Sequence, residues 1–224
     1  MKPAGSTVSR VEEFFRHFEA QIEGIASVQS PFYRKILYSV LLEAMARKKY
    51  PSQDDGDRLL RMLDTSSSWR DKDRVSLPQL ELHFDVMFSA QEKKRSRLWA
   101  ALQDCLQQGN AAGSSGDPFL YELQDRAVTE EYPALGLSRY LSLFMAYRKS
   151  LLQDFHITAA KEPPEERTVP YYVHYEQVWR LEFPAGFFRE LALSCLKNLR
   201  EYLLRANHSE SGGPDLPSET GGLR

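Results

Sequence analysis

Arg148 is the residue whose type and position point most clearly to chemistry. It lies in residues 136–157, where apolar side chains recur at three- and four-residue spacing, as on one face of a helix: Leu137, Leu141, Phe144, Leu151, Leu152 and Phe155. Arg148 follows Phe144 by four residues, so it falls within that face. A guanidinium stays charged in proteins, and its burial without a partner is costly. We therefore expect a carboxylate, carbonyl groups, a phosphate or water to compensate its charge.

The segment that contains Arg148, YRKSLLQDFH, resembles the signature of the HEPN (higher eukaryote and prokaryote nucleotide-binding) domains. In that family an Arg followed by a polar residue precedes a His by roughly five to seven positions near a helix end. Arg148 and Lys149 match the first two positions. The resemblance covers about residues 9–206 and implies a helical bundle that dimerises along the motif helix. In active members it implies RNA cleavage by Arg and His without a metal.

This chain departs from the HEPN pattern at the histidine. Gln153 stands five residues after Arg148, where the tightest spacing places the catalytic His, and His156 is eight residues away. Eight residues turn a helix through about 80° relative to Arg148. We therefore predict a HEPN-like binding and assembly module that is not catalytic, with Arg148, Lys149 and Gln153 at the contact with a partner.

The expected partners are a second copy in a homodimer, another protein or RNA, and we expect Arg148 to face a partner subunit. Two alternatives stay open. One is a metal-independent endoribonuclease with Arg148 as transition-state clamp and His156 as general acid or base. The other is a helical scaffold without catalytic function, in which Arg148 is exposed.

Two further groups are candidates for binding RNA or a protein. Lys93, Lys94, Arg95 and Arg97 are expected in the first turns of a helix, where cations oppose the helix dipole; they indicate either an anionic partner or a solvated charged face. Tyr172 and His174 belong to an aromatic-rich segment that could stack bases or form a protein interface. We prefer a structural role for that segment, as a ribbon that closes the helical core.

Other classes of site find no support in the sequence. The histidines and the two cysteines lack the spacing of metal ligands, so we expect no metal site. No glycine-rich phosphate loop and no nucleophile elbow occurs, so we expect no small-molecule cofactor. A net charge of -2 argues against non-specific nucleic-acid binding through a global basic field. No apolar run is long enough for a membrane span or a signal peptide, and we expect a cytoplasmic protein without membrane contact.

The elements that must position Arg148 are mostly helices. We predict a mainly α fold: a single helical-bundle domain over residues 9–208, with about six to seven helices and a small β-hairpin before the last helix. Ser9 and Glu12 form a capping box for the first helix after a polar lead at 1–8.

The second helix begins at Ser30–Pro31, and its expected inward face is Tyr33, Ile36, Leu37, Val40, Leu41 and Ala44. Residues 109–118 and 158–170 are expected to be surface loops, 171–183 a hairpin, and 209–224 a disordered tail. Residues 72–88 fit either a turn with a short helix or an extended segment.

Overall fold

The computed structural model describes residues 5–107, 116–153, 167–175 and 177–210, with side chains from residue 12 to residue 204 within those ranges. In chain order the helices are α1 (Gly5–Ala26), α2 (Pro31–Lys49), α3 (Asp55–Ser66), α4 (Leu77–Met87), α5 (Ala90–Arg95), α6 (Arg97–Gln107), α7 (Leu120–Gln124), α8 (Tyr132–Ser138) and α9 (Tyr140–Gln153). The strands β1 (Tyr171–Tyr175) and β2 (Val178–Glu182) precede the last helix, α10 (Ala185–Glu210). The mainly α fold with a hairpin before the last helix is confirmed.

Several predicted boundaries are wrong. The first helix begins at Gly5, so Ser9 lies inside it and the polar lead contains its first turn. Residues 136–157 do not form one helix, because α8 ends at Ser138 and α9 begins at Tyr140. The last helix runs to Glu210, which places the first two residues of the predicted tail in a helix. Residues 211–224 lie outside the described part of the chain.

Serine caps begin four of the helices, and Ser96 caps α6 by accepting a hydrogen bond from the backbone N–H of Trp99. Ser30 accepts a hydrogen bond from the backbone N–H of Tyr33 at the start of α2. Ser76 caps α4 in the same way, and Ser89 forms a capping box with Glu92 at the start of α5. The structure resolves the open choice for residues 72–88: a 3-10 turn and two isolated β-bridges, at Arg74 and Val75, lead into the helix α4.

The buried side chains form two hydrophobic clusters. The larger cluster is built from α1, α2, α3, α9, the hairpin and α10, and it is rich in aromatic rings such as Phe144, Phe183 and Phe188. The smaller cluster is built from α4, α6, α7 and α8 around Leu80, Phe84 and Leu98. Helix α9 contacts α2 and α3 of the larger cluster and α8 of the smaller one, so it lies where the two clusters meet.

The hairpin is buried at its open end, which is the end away from the turn. Its strands pair antiparallel from Tyr171 opposite Glu182 to Tyr175 opposite Val178, and Gln177 in the turn has a φ of 65°. Leu181 and Glu182 are buried, on opposite faces of the strand, whereas His174 nearer the turn is exposed. The expectation that this ribbon closes the core therefore holds for its open end only.

Candidate functional site

Arg148 is neutralised within the chain by a carboxylate of the neighbouring helix. Its guanidinium donates from Nη2 to Oε2 of Glu43 in α2, and the two side chains are 12% and 24% exposed. Arg47 lies one turn further along α2, with Nη2 3.8 Å from Glu43 Oε1. Of the four groups expected to compensate the charge of Arg148, the structure shows a carboxylate. The argument that Arg148 needs a partner subunit to compensate its charge is therefore wrong.

Two of the other residues predicted to act with Arg148 lie in the described part of the chain. Lys149 and Gln153 are exposed on α9. His156 lies outside the described residues, so its pairing with Arg148 stays a prediction. In this structure the donating nitrogen of the guanidinium is occupied by Glu43, while Arg148 Nε is buried and makes no hydrogen bond.

The basic cluster does not occupy an unfavourable place in its helix. A break at Ser96 separates α5 from α6, so Lys93, Lys94 and Arg95 lie in the last turn of a short helix, where cations suit the dipole. Only Arg97 begins the next helix. The expectation of an anionic partner was based on cations in the first turns of a helix. That placement is wrong for Lys93, Lys94 and Arg95. Lys93 is also held by Asp85, with Nζ 2.6 Å from Oδ1.

The two aromatic candidates of the hairpin have different surroundings. The hydroxyl of Tyr172 donates to Asp117 Oδ2 and lies 2.8 Å from Ser76 Oγ, so this partly buried residue is tied to the interior by its hydroxyl. His174 is exposed. Among the described residues, the one ring that it contacts is that of Trp179 on the opposite strand, with 4.9 Å between the ring centroids.

Asp117 is the centre of a buried polar network that the sequence did not reveal. Tyr140 of α9 donates to Asp117 Oδ2 at 2.7 Å, and the backbone N–H of Leu77 donates to Oδ1 at 3.4 Å. Burial raises the pKa of Asp117 to about 6, although these donors favour the charged form. Burial raises the pKa of Tyr140 above its ordinary value, and the negative charge of Asp117 raises it further. The position of Asp117 in a glycine- and serine-rich stretch predicted a surface loop at 109–118, and for Asp117 that prediction is wrong.

A second buried network joins α2, α9 and β2. Lys35 of α2 is 5% exposed; its Nζ lies 3.3 Å from Glu182 Oε1 and donates to the hydroxyl of Tyr147 at 2.9 Å. That hydroxyl in turn donates to Glu182 at 2.5 Å. The three groups satisfy one another, so this cluster supports the fold and has no free group directed at a ligand.

A serine and a histidine that are far apart in the sequence also contact each other. His83 Nδ1 lies 2.8 Å from Ser138 Oγ, and burial lowers the pKa of His83. Ser138 has no exposed surface, and its hydroxyl donates to the backbone carbonyl of Ala134 at 2.8 Å. A nucleophile must reach a substrate and pass its proton to a base. This pair does neither, so it is a structural contact.

The outer face of α2 exposes large apolar side chains. Tyr33, Leu37 and Val40 were expected to point inward, but they are 57%, 41% and 54% exposed, and this part of the prediction is wrong. Leu41 is buried as expected, together with Lys35, Tyr38, Ser39, Leu42, Met45 and Ala46. We call Tyr33, Leu37, Val40 and Ala44 the outer stripe of α2, although Ala44 is partly buried and also packs against the larger cluster.

A shallow groove of about 350 Å³ borders the outer stripe. Its walls are the end of α1 and the middle of α2, and it is lined by Gln21, Gly24, Ile25, Val28, Leu37, Val40, Leu41 and Ala44. All but one of these residues are apolar or glycine. The groove therefore offers dispersion contacts and apolar area, with no charged group to orient a small polar ligand.

Two features are absent from the described residues. No three His, Cys, Asp or Glu side chains in these ranges come close enough together to hold a metal ion. None of the described helices combines the length and the apolar character that a bilayer span needs.

Comparisons with known proteins identify no relative: no family model, no curated protein and no solved structure matches this chain.

Proposed function

We propose that this chain is a HEPN-like helical binding and assembly module without catalytic activity, which contacts a protein partner through the outer stripe of α2. The observation that carries the proposal is the exposure of Tyr33, Leu37 and Val40 on one face of a helix. Contiguous exposed apolar surface marks interaction sites, whereas single exposed apolar residues are ordinary.

The exposed residues of α2 make this face suited to a protein. Within Pro31–Lys49 the exposed side chains are the three large apolar residues of the stripe and, in the last turn, Arg47 and Lys48. Covering each apolar side chain with a partner is favourable by about 1 kcal/mol, since roughly half of each is still in water. A polar RNA backbone gains little from such a surface, because phosphate contacts require cations.

The surroundings of Arg148 favour binding over catalysis. An Arg that stabilises a transition state must direct its fork at the reacting phosphate. Here Nη2 of that fork is engaged by Glu43, and Arg47 lies next to the same carboxylate. The polar groups around Asp117 and in the Lys35–Glu182 network bond to one another across helices, as expected of groups that hold helices together.

Photo-crosslinking tests the proposed contact. p-Benzoylphenylalanine at position 37 of the full chain is expected to give discrete crosslinked protein species in cells that express it. The matched control carries the same group at position 57, which is exposed on α3. Equal yields at both positions, or none at position 37, would overturn the proposed contact.

Incubation of the purified protein with single-stranded and structured RNA in chelator tests the catalytic alternative. We expect the RNA to stay intact. Cleavage that is lost in both Arg148→Ala and His156→Ala would replace the module by a metal-independent ribonuclease.

A further inference from the structure

We infer that the protein partner is a second copy of this chain, and that the outer stripe of α2 pairs antiparallel with the same stripe of that copy. The inference rests on the proposed function and names its partner. It is carried by the spacing, the sizes and the surroundings of four residues on one helix.

The spacing of the outer stripe is that of a helix–helix seam. Tyr33, Leu37, Val40 and Ala44 follow one another at intervals of four, three and four residues. Such residues lie within an arc of about 60° and along about 16 Å of helix. A seam of this kind packs against a second helix through alternating knobs and holes.

The sizes of these residues are complementary when the helix meets its own copy. An antiparallel pair with its twofold axis between residues 38 and 39 places Tyr33 of one copy opposite Ala44 of the other. The same axis places Leu37 opposite Val40. Each layer then combines a larger with a smaller side chain, as an isologous interface requires of a single surface.

The groove beside α2 provides room for the largest of these side chains. It borders Ala44 and extends over Gly24 of α1, where an added Cβ would meet no atom within 4 Å. The packing of this chain therefore leaves the space above Gly24 open. The ring of Tyr33 from a second copy, placed opposite Ala44, is expected to enter this groove.

The charges at the end of α2 select the antiparallel orientation. Arg47, Lys48 and Lys49 form the last turn of the helix, and its first turn has no acidic residue. A parallel pair would bring the two sets of cations together. An antiparallel pair places them at opposite ends of the interface, which removes that repulsion and aligns the helix dipoles favourably.

The strength of the dimer follows from the size of the contact. One helix face of about three turns, with the groove wall from α1, is at the lower end of specific interfaces. We therefore expect a reversible dimer that dissociates on dilution.

Sedimentation velocity of the full chain over a wide concentration range tests the second copy. We expect the wild type to dimerise reversibly and Leu37→Lys to raise the dissociation constant more than about tenfold, equivalent to about 1.4 kcal/mol. The matched control is Val86→Lys, which changes a 79% exposed apolar residue on α4 and should leave the dimer unchanged. An equal loss in both variants would overturn the assignment to α2.

Disulfide trapping tests the orientation. Tyr33→Cys and Ala44→Cys proteins, each in a Cys105→Ser background, are expected to crosslink when mixed, because the antiparallel axis brings these positions together. Tyr33→Cys alone should not crosslink. Its self-crosslinking would show a parallel pair and overturn the inferred geometry.

The two tests also separate this inference from the proposed function. A chain that stays monomeric at all concentrations, yet crosslinks at position 37 to another protein in cells, would overturn the second copy and keep the binding module. A monomer that gives no crosslink at position 37 would overturn both.

Discussion

Helices α2 and α9 pack against each other, and each has residues that do not fit a simple inward-facing apolar stripe. In α9 the exception is Arg148, which is paired with Glu43 of α2. In α2 the exceptions are Tyr33, Leu37 and Val40, which face solvent while Lys35 of the same helix is buried. The charge of Arg148 is compensated by a residue of the same chain, whereas no part of the described chain fully covers the three apolar side chains of α2.

This difference shows where an unexplained residue points to function. A buried charge must be compensated for the chain to fold, so its partner is usually found in the same molecule. An exposed apolar side chain has no such requirement, because leaving it in water is only mildly unfavourable. The outer stripe of α2 is therefore better evidence for a partner than Arg148 is.

The largest effect is expected from the buried face of α2. Lys35→Ala removes the cation that lies 3.3 Å from the buried Glu182 carboxylate, and we expect a loss of about 3–5 kcal/mol in the free energy of unfolding. Urea denaturation measures it. The matched control, Lys48→Ala, removes an exposed cation from the same helix and should change stability by less than about 0.5 kcal/mol. Similar values for the two variants would contradict the buried network.

The next effect concerns Asp117, which is held by Tyr140 of α9. Its pKa of about 6 in the folded state lies above the ordinary 3.8, so the folded state binds this proton more tightly than the unfolded chain does. The stability from this group is complete below pH 3.8 and is lost as the pH rises through about 6. We expect the loss to be roughly 1–3 kcal/mol.

Asp117→Asn isolates that pH dependence. The variant lacks the titrating group, so the difference in unfolding free energy between wild type and variant should change between pH 4.5 and pH 7. Other groups, including His83 with its lowered pKa, titrate in both proteins and cancel. A difference that is constant with pH would contradict the buried carboxylate.

A double-mutant cycle of Arg148→Ala and Glu43→Ala measures the pair that joins α2 to α9. Because both side chains are partly buried, we expect a coupling energy of about 1–2 kcal/mol in chemical denaturation. Arg47→Ala combined with Glu43→Ala is the control, and its coupling should be below about 0.5 kcal/mol, since Arg47 is exposed. Coupling near zero for Arg148 would mean that its charge is compensated by water.

The smallest effect on stability is expected at the outer stripe. Leu37→Ala, measured at concentrations where the chain is monomeric, should lower the free energy of unfolding by no more than about 0.5–1 kcal/mol, because the side chain is already 41% exposed. Leu42→Ala, on the buried face of the same helix, should cost about 2–5 kcal/mol. A large loss at position 37 in the monomer would show that the stripe is needed for folding rather than for binding.

The sequence predicted local features of the fold well. The start of α2 at Ser30 and the strand-like segment before α10 each depend on neighbouring residues, and both were located correctly. It did not predict which side of α2 is inward. Periodicity identifies residues that share a face, and α2 has two faces with large apolar side chains.

The contacts around the candidate site depend on residues far apart in the chain, which explains why they escaped prediction. Arg148 is 105 residues from Glu43, and Lys35 is 147 residues from Glu182. The spacing within α9 identified Arg148 as a residue that needs compensation. It contained no information on which carboxylate provides it.

The two hydrophobic clusters also constrain the order in which the chain folds as it is synthesised. The larger cluster unites α1, α2 and α3 with α10, whereas α4, α6, α7 and α8 of the smaller cluster are complete by Ser138. The parts of the first three helices that pack on α10 therefore stay uncovered during synthesis until α10 has emerged, although α2 already contacts α1 and α3. Nascent chains that lack α10 are expected to hold a folded middle segment and to be the species most in need of a chaperone.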